Sequence, residues 1–307
     1  MSKKHTDINL TIPHAESALK AWLGSQVKCT NLQRLHGGMI NSVWKLSFDK
    51  EPYTAVMKIR PAGDNDFINE ACKLNYLLDN TSFPCPKVYH EDSTGKYIPF
   101  AFLILETIPG ESMVTAKINP MGRISIDRQM AEILLELHSH KRATFGNPHI
   151  EDDLTNWLVV FVPRLRDMHH KVNSKLSSKI LRNIDKALDA AEDVFSQQGE
   201  PTLIHGDIWA GNVMVDRKDD GWHLTGIVDP GTQYAHVEME LAYLEVFSTV
   251  GDEFFRIYTA KNPLRQGYPL RRLYYWLNTY MIHVWIFGDQ HYRVMTSRVA
   301  EAIVKQL

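Results

Sequence analysis

The strongest constraint on the fold is a short polar loop between two apolar segments, followed later by a third apolar segment that ends in an acid. Residues 202–204 and 213–215 flank the loop at 205–212, and residues 226–228 precede Asp229. Apolar runs of this length, separated by turn-forming residues, predict three short strands with polar groups where the strands end. The chain must therefore fold so that this loop and this acid lie at strand ends.

The loop and the later acid supply three oxygen-bearing side chains. Asp207 and Asn212 are five positions apart, and Asp229 follows Asn212 by seventeen. Phosphoryl transfer of the kinase type needs one acid that accepts the hydroxyl proton, with a side-chain carbonyl and a second acid that hold Mg²⁺ on the nucleotide. Hard oxygen ligands suit Mg²⁺. We therefore predict Asp207 as the catalytic residue and Asn212 and Asp229 as the metal ligands, the alternative being that Asp207 and Asn212 only shape a turn.

Composition indicates an ordinary globular protein of one large domain or two lobes. The chain has 307 residues, 44% of them hydrophobic and 23% charged, with a net charge of −2. Scattered basic residues give no indication of a nucleic-acid or anionic-membrane partner. The first residues lack the apolar core of a signal peptide, and three cysteines without C-x-x-C spacing favour reduced thiols. The sequence therefore predicts a cytoplasmic protein without a membrane span.

A lysine and a glutamate in the N-terminal part form a candidate nucleotide site. Lys58 lies in a predicted strand at 54–59, and Glu70 lies twelve residues further on, in a predicted helix at 67–78. A strand lysine paired with a helix glutamate positions the α- and β-phosphates in protein-kinase-like enzymes. Each residue taken alone also fits an exposed charge, so the prediction rests on the pair.

Two other N-terminal segments are predicted to contact the nucleotide. Gly37 and Gly38 join two predicted strands, where they would either let backbone N–H groups approach a phosphate or form a plain hairpin. The buried strand at 100–106 leads through Glu106 to Ile108 and a Pro-Gly pair, which is typical of a hinge. We predict that main-chain groups of this segment contact an adenine ring.

The remainder of the chain is predicted to be mostly helical. Apolar residues at helical spacing indicate helices near 125–137, 157–165, 180–195 and 270–287. Glu238 begins a further apolar helix, where it either complements the helix dipole or meets a cationic acceptor. Trp209, two residues after Asp207, either stacks on a sugar or amine acceptor or packs beneath the loop.

These residues resemble the protein-kinase-like small-molecule phosphotransferases, a superfamily that includes aminoglycoside and choline kinases. Within it, the sequence is most similar to the fructosamine (ketosamine) 3-kinase family. The resemblance rests on residues 205–212, on Asp229-Pro230 and on residues 236–242, with weaker similarity at Phe145-Gly146 and 273–278. The chain departs from the family pattern around Gly37-Gly38-Met39 and at Gly231.

The resemblance implies an α+β, two-lobed protein-kinase-like fold, with a small antiparallel-sheet N-lobe at 1–109 and a mostly helical C-lobe at 110–307. It also implies ATP and Mg²⁺ as cofactors and phosphorylation of a hydroxyl of a sugar-amine adduct, either as a small molecule or on a protein. Another small alcohol, such as an aminoglycoside or choline, is the alternative acceptor, and a non-catalytic nucleotide-binding protein is the alternative class. Monomer and homodimer both remain open, as does adenine or guanine preference.

Overall fold

The structure is a computed structural model that describes residues 7–35, 40–63, 65–150, 154–196 and 199–307. Gly37 and Gly38 lie outside the described residues. The chain divides into two compact units. Unit 1 comprises Met1–Lys117 and Gly211–Pro230, and unit 2 comprises Ile118–Ala210 and Gly231–Leu307. Residues 211–230 thus group with the N-terminal part of the chain, although they lie far beyond residue 109 in sequence.

The first two thirds of the described chain contain two groups of strands, each preceded by a helix, and then three helices. These elements are α1 (Ile12–Leu23), β1 (Cys29–Leu35), β2 (Ser42–Phe48), β3 (Thr54–Pro61), α2 (Asp66–Asn80), β4 (Val88–Asp92), β5 (Phe100–Leu105), β6 (Glu111–Ser112), α3 (Pro120–Leu137), α4 (Trp157–Val172) and α5 (Ser178–Val194). The last third contains β7 (Pro201–Ile204), β8 (Val213–Lys218), β9 (Gly221–Ile227), β10 (Gln233–His236), α6 (Glu238–Val246), α7 (Asp252–Lys261), α8 (Tyr268–Ile286) and α9 (Gln290–Val304).

These bounds confirm the predicted strand–loop–strand segment and the predicted helices, but helices α3 and α4 are longer than the predicted ranges. Helix α3 begins at Pro120 rather than near residue 125, and helix α4 runs to Val172, past the apolar stretch at 157–165. The last turns of α4 continue one buried face, because Leu165, Met168 and Val172 are all in the core. Their spacing of three and four residues is the helical period.

Unit 1 contains a five-stranded antiparallel sheet in the order β1-β2-β3-β5-β4. Side chains of β2 alternate between buried and half-buried, as expected when one face of a strand meets the core. Helix α1 covers that core with Ala15, Ala18 and Leu19, which pack in one cluster with Leu46 and Met57. Because β3 is the central strand of the sheet, a residue on it is flanked by neighbouring strands on both sides.

A second sheet in unit 1 has three strands in the order β6-β8-β9. Its main part is the β8–β9 hairpin, in which Val213 pairs with Ile227 at the open end and Lys218 pairs with Gly221 at the tip. The Ile227 N–H donates to the Pro84 carbonyl at 2.7 Å, which ties the hairpin to the segment before β4.

Unit 2 is mostly helical, with β7 and β10 as an antiparallel pair. Its core is rich in aromatic rings, including Trp157, Phe161, Phe195 and Tyr275. The Trp157 indole N–H donates to the Tyr275 hydroxyl at 3.0 Å, so the polar atoms of these buried rings are paired. The antiparallel sheet toward the N-terminus and the helical C-terminal part confirm the predicted α+β class. Within the described ranges, every helix is too short or too polar to cross a bilayer.

Candidate active site

Lys58 is a buried cation at the middle of the five-stranded sheet. It lies on β3, opposite Val43 of β2 and Leu103 of β5. Its Nζ donates to Glu70 Oε1 at 2.5 Å and also to Asp229 Oδ1. The structure thus brings together the lysine and the glutamate that were expected to pair, and it adds Asp229, which is 171 residues away from Lys58 in sequence.

The two carboxylates keep Lys58 charged. Burial alone would lower the pKa of this ammonium, but the negative charges of Asp229 and Glu70 outweigh burial and raise the pKa. The side chain of Lys58 is only 6% exposed, whereas that of Asp229 is 41% exposed. Within this cluster, the Asp229 carboxylate is therefore accessible to solvent, whereas the Lys58 ammonium is buried.

Asn212 and Asp229 lie at the open end of the β8–β9 hairpin. The Val228 N–H donates to the Asn212 carbonyl at 2.9 Å, which continues the ladder one step past Val213 and Ile227. Asp229 follows directly and has a φ of 62°, in the left-handed region that aspartate tolerates better than most residues. The hairpin register, rather than the seventeen-residue spacing, puts the two predicted metal residues at one end of the same element.

The donor chemistry at this hairpin end fits Mg²⁺. A carboxamide oxygen and a carboxylate are hard ligands, and Mg²⁺ is usually held by one or two protein carboxylates together with substrate phosphates and water. Among the residues that the structure describes, no group of three or more His, Cys, Asp or Glu side chains forms a cage for a metal ion. That Asn212 and Asp229 hold Mg²⁺ stays a prediction.

The predicted adenine segment follows β5 in unit 1. The Glu106 N–H donates to the Lys87 carbonyl at 2.9 Å, and Glu106 Oε2 accepts from the Lys87 N–H at 3.1 Å. The Ile108 side chain lies against Gly226, where an added Cβ would come within 3.0 Å of Ile108 Cγ2. Hydrogen bonds thus hold the segment at Glu106 and side-chain packing holds it at Ile108, and its contact with adenine stays a prediction.

The polar loop begins in unit 2, directly after β7, and its backbone is held by a buried carboxylate. Glu240 accepts hydrogen bonds from the N–H groups of Gly206, at 2.6 Å, and His205, at 3.1 Å. Burial alone would raise the pKa of Glu240, but the His138 hydrogen bond at 2.9 Å and nearby positive charge outweigh it and lower the pKa. Glu240 therefore stays ionised and fixes the backbone just before Asp207.

Tyr243 contacts the predicted catalytic carboxylate. Its hydroxyl donates to Asp207 Oδ1 at 2.5 Å. Burial and the adjacent Asp207 charge raise the pKa of Tyr243 well above its ordinary value of 10.0. The phenol therefore remains protonated and acts as a donor at every physiological pH. Asp207 itself is half-buried, at the edge between the protein interior and solvent.

The two residues predicted to contact an acceptor have different surroundings. Trp209 is half-buried, which is compatible with either of its predicted roles. Glu238 is 2% exposed, and Arg271 Nε and Nη2 donate to its two oxygens at 2.6 and 2.7 Å. Because a buried guanidinium already neutralises this carboxylate, the structure gives no support for its contact with a cationic acceptor. The carboxylate instead ties the start of α6 to α8.

A row of half-buried aromatic rings extends from Tyr243 in unit 2. Tyr243 and Phe247 on α6 have ring centroids 4.9 Å apart, and Phe247 lies 5.4 Å from His283 on α8. His283 in turn lies 4.7 Å from Tyr292 on α9. Tyr243, the first ring of this row, is the one that contacts the Asp207 carboxylate. The sequence showed that residues 270–287 are aromatic-rich, but not that α6 and α9 contribute to the same row.

Sequence reasoning missed Glu240 and Tyr243 as parts of this site. Their spacing of three residues places them on one face of α6, which was the available signal. It was not decisive, because an acid in the first turn of a helix already has a sufficient explanation in the helix dipole.

Comparison with solved structures identifies the fold. A Haemophilus somnus protein described as a fructosamine-3-kinase superposes with a TM-score of 0.76 at 22% identity, covering 94% of this chain and 96% of that chain. A thermostable mutant of aminoglycoside phosphotransferase APH(4)-Ia gives a TM-score of 0.71 at 16% identity, covering 95% of this chain and 98% of that chain. These similarities show that the chain has the protein-kinase-like fold of both proteins.

Sequence comparison identifies the family. The profile of the fructosamine kinase family matches residues 11–306. The protein-ribulosamine 3-kinase of Arabidopsis thaliana is 31% identical over 294 residues, covering 90% of this chain and 84% of the relative. The chain belongs to the fructosamine kinase family, which confirms the resemblance inferred from the loop residues.

Proposed function

We propose that this chain transfers the γ-phosphoryl group of ATP to a hydroxyl of a ketoamine, the adduct of a sugar with an amine. The observation that carries the proposal is the placement of Lys58 between Glu70 and Asp229. A buried ammonium of raised pKa, held by two carboxylates, is suited to neutralise nucleotide phosphates. Membership of the fructosamine kinase family supports a ketoamine as the acceptor.

On the nucleotide side, Lys58 would contact the α- and β-phosphates, and the segment from Glu106 to Ile108 would meet the adenine. Asn212 and Asp229 would hold Mg²⁺, which, when bound, neutralises phosphate charge. Asp229 now accepts a hydrogen bond from Lys58. Its 41% side-chain exposure leaves it accessible to a ligand.

On the acceptor side, Asp207 would accept the proton of the ketoamine hydroxyl as the hydroxyl oxygen attacks the γ-phosphorus. A new O–P bond forms, the bond from the γ-phosphorus to the bridging oxygen breaks, and ADP leaves with the electron pair. Catalysis then depends on positioning and electrostatic stabilisation rather than on a covalent enzyme intermediate. The half-buried Tyr243 ring, whose hydroxyl contacts Asp207, would offer an apolar face to the C–H groups of the sugar.

The test is ADP release from the purified full-length chain with Mg-ATP and a panel of acceptors. The panel contains fructosamine and ribulosamine adducts of lysine, an aminoglycoside, choline and free sugars. We expect selective turnover of the ketoamines and its loss, by at least about 100-fold, in Asp207→Asn, because general base catalysis contributes at least this much. Far-UV circular dichroism checks that the variant is folded.

Each outcome has a defined meaning. Turnover of the aminoglycoside or choline without ketoamine turnover would keep the phosphotransferase mechanism and refute the acceptor. Binding of ATP without ADP release on any acceptor, or full activity in Asp207→Asn, would refute the proposed chemistry.

A further inference from the structure

We propose that Tyr243 is a positioning residue for the reaction: its hydroxyl fixes the Asp207 carboxylate in the orientation that accepts the acceptor proton. The inference rests on the proposed function of Asp207. Its basis is the hydrogen bond of 2.5 Å from the Tyr243 hydroxyl to Asp207 Oδ1, made across 36 positions of sequence.

A base on a loop needs such support. A carboxylate rotates about its terminal torsion between broad minima, so a backbone fixed by Glu240 does not by itself fix the side-chain oxygens. One hydrogen bond to a single carboxylate oxygen sets the plane of the group. Displacements of about 1 Å in a reacting group cost on the order of 100-fold in rate, so this contact has a direct kinetic consequence.

Helix α6 supplies both restraints from one face. Glu240 accepts from the N–H groups of His205 and Gly206, and Tyr243, one helical turn later, donates to the side chain of Asp207. Glu240 is itself held by His138, whose Nδ1 lies 2.7 Å from the Tyr258 hydroxyl. One helix therefore holds both the backbone of the loop, through Glu240, and the Asp207 side chain, through Tyr243.

The chemistry of a phenol suits the task. A donor must stay protonated beside a carboxylate, and burial together with the Asp207 charge ensures this for Tyr243. The ring is also restrained, because it packs edge-on against Phe247 at a centroid distance of 4.9 Å and an interplanar angle of 66°. Removal of the hydroxyl alone should leave the ring in place.

The first experiment compares Tyr243→Phe with the wild type and with Tyr274→Phe, using the full-length chain. Tyr274 is the matched control, because it is a buried tyrosine of the same unit whose hydroxyl donates to the Ala187 carbonyl at 2.8 Å. We expect Tyr243→Phe to lower kcat by about 10- to 100-fold with KM for ATP and for the ketoamine within about twofold. Tyr274→Phe should keep the wild-type kcat.

A second measurement tests the contact without any acceptor. Thermal unfolding of Tyr243→Phe, Asp207→Ala and the double variant gives a thermodynamic cycle. We expect Tyr243→Phe to lower Tm in the wild-type background by clearly more than in the Asp207→Ala background. Additive changes in Tm would overturn the proposal, as would an unchanged kcat in Tyr243→Phe or an equal loss of kcat in Tyr274→Phe.

Failure of the proposed function gives a different pattern. If the wild type turned over no ketoamine, the proposed function would be refuted. The kcat and the KM for ATP of Tyr243→Phe and the wild type would then be compared in the slow hydrolysis of Mg-ATP by water. A fall of that rate in Tyr243→Phe, with unchanged KM for ATP and a coupled cycle, would still support Tyr243 as the residue that positions Asp207. An unchanged rate would overturn it.

Discussion

Replacement of Glu238 by glutamine tests whether this carboxylate is structural or contacts an acceptor. Glu238 and Arg271 form a two-point ion pair with N–O distances of 2.6 and 2.7 Å. Their side chains are 3% and 5% exposed, so neither group has solvent available as a substitute partner. Glu238→Gln keeps the shape and one carbonyl oxygen but turns an amide N–H toward the guanidinium.

The expected loss of stability is large. Removal of one partner from a buried ion pair costs about 3–5 kcal/mol, because the remaining charge is left without compensation. The retained amide oxygen still accepts one hydrogen bond, which places Glu238→Gln near the lower end, at about 3 kcal/mol. The double variant Glu238→Gln/Arg271→Met no longer buries an unpaired cation and should recover about half of that loss.

Urea denaturation followed by tryptophan fluorescence measures these changes, with kinetics taken at a temperature where each variant is fully folded. We expect the KM for the ketoamine to remain within about twofold of wild type in Glu238→Gln. A loss of stability below about 1 kcal/mol, combined with a tenfold rise in that KM, would refute the structural role and favour direct contact with the acceptor.

Three other perturbations have defined outcomes. Lys58→Met should lower kcat/KM for ATP by at least about 100-fold, whereas Lys45→Met on the neighbouring strand should leave it unchanged in the same assay. Burial, with nearby arginines, lowers the pKa of His236 to about 3 from its ordinary 6.5. As the pH falls through 6.5, the unfolded chain therefore binds a proton at His236 that the folded chain does not. Between pH 6.5 and 5.5 the wild type should therefore lose about 1 kcal/mol more unfolding free energy in urea than His236→Gln does, and equal losses would refute a neutral buried His236. In thermal unfolding, Gly206→Ala should lower the free energy of unfolding by at least about 1 kcal/mol more than Gly24→Ala. Both substitutions place an alanine at a positive φ, so this strain is common to the two variants. The two variants differ because a Cβ at Gly206 would lie 2.8 Å from the Gly231 carbonyl oxygen, whereas a Cβ at Gly24 meets nothing within 4 Å.

Much of the fold was predictable, because its elements follow local patterns. The strands around residues 202–215 and helix α5 have the apolar spacing that their burial requires. The pair of Lys58 and Glu70 was also accessible, since a strand and the next helix bring the two residues together over only twelve positions. In these cases, residues that are close in sequence are also in contact in the structure.

The remaining site residues depend on long-range contacts that no local pattern specifies. Tyr243 meets Asp207 across 36 positions, and Arg271 neutralises Glu238 across 33. An acid at the start of a helix looks the same in sequence whether it faces solvent, a ligand or a buried arginine. Only the packing of α6 against the loop and α8 distinguishes these possibilities, which is why the predicted role of Glu238 gained no support.

The β8–β9 hairpin also bears on how such chains diverge. Asn212 and Asp229 sit beyond the open end of a ladder that closes at Lys218 and Gly221, so the pairing register sets their separation in space. Insertions or deletions at the tip that keep this pairing would change the count of residues between them without displacing either one. A recognition pattern built on a fixed interval of seventeen residues would therefore overlook functional relatives whose hairpins are longer or shorter.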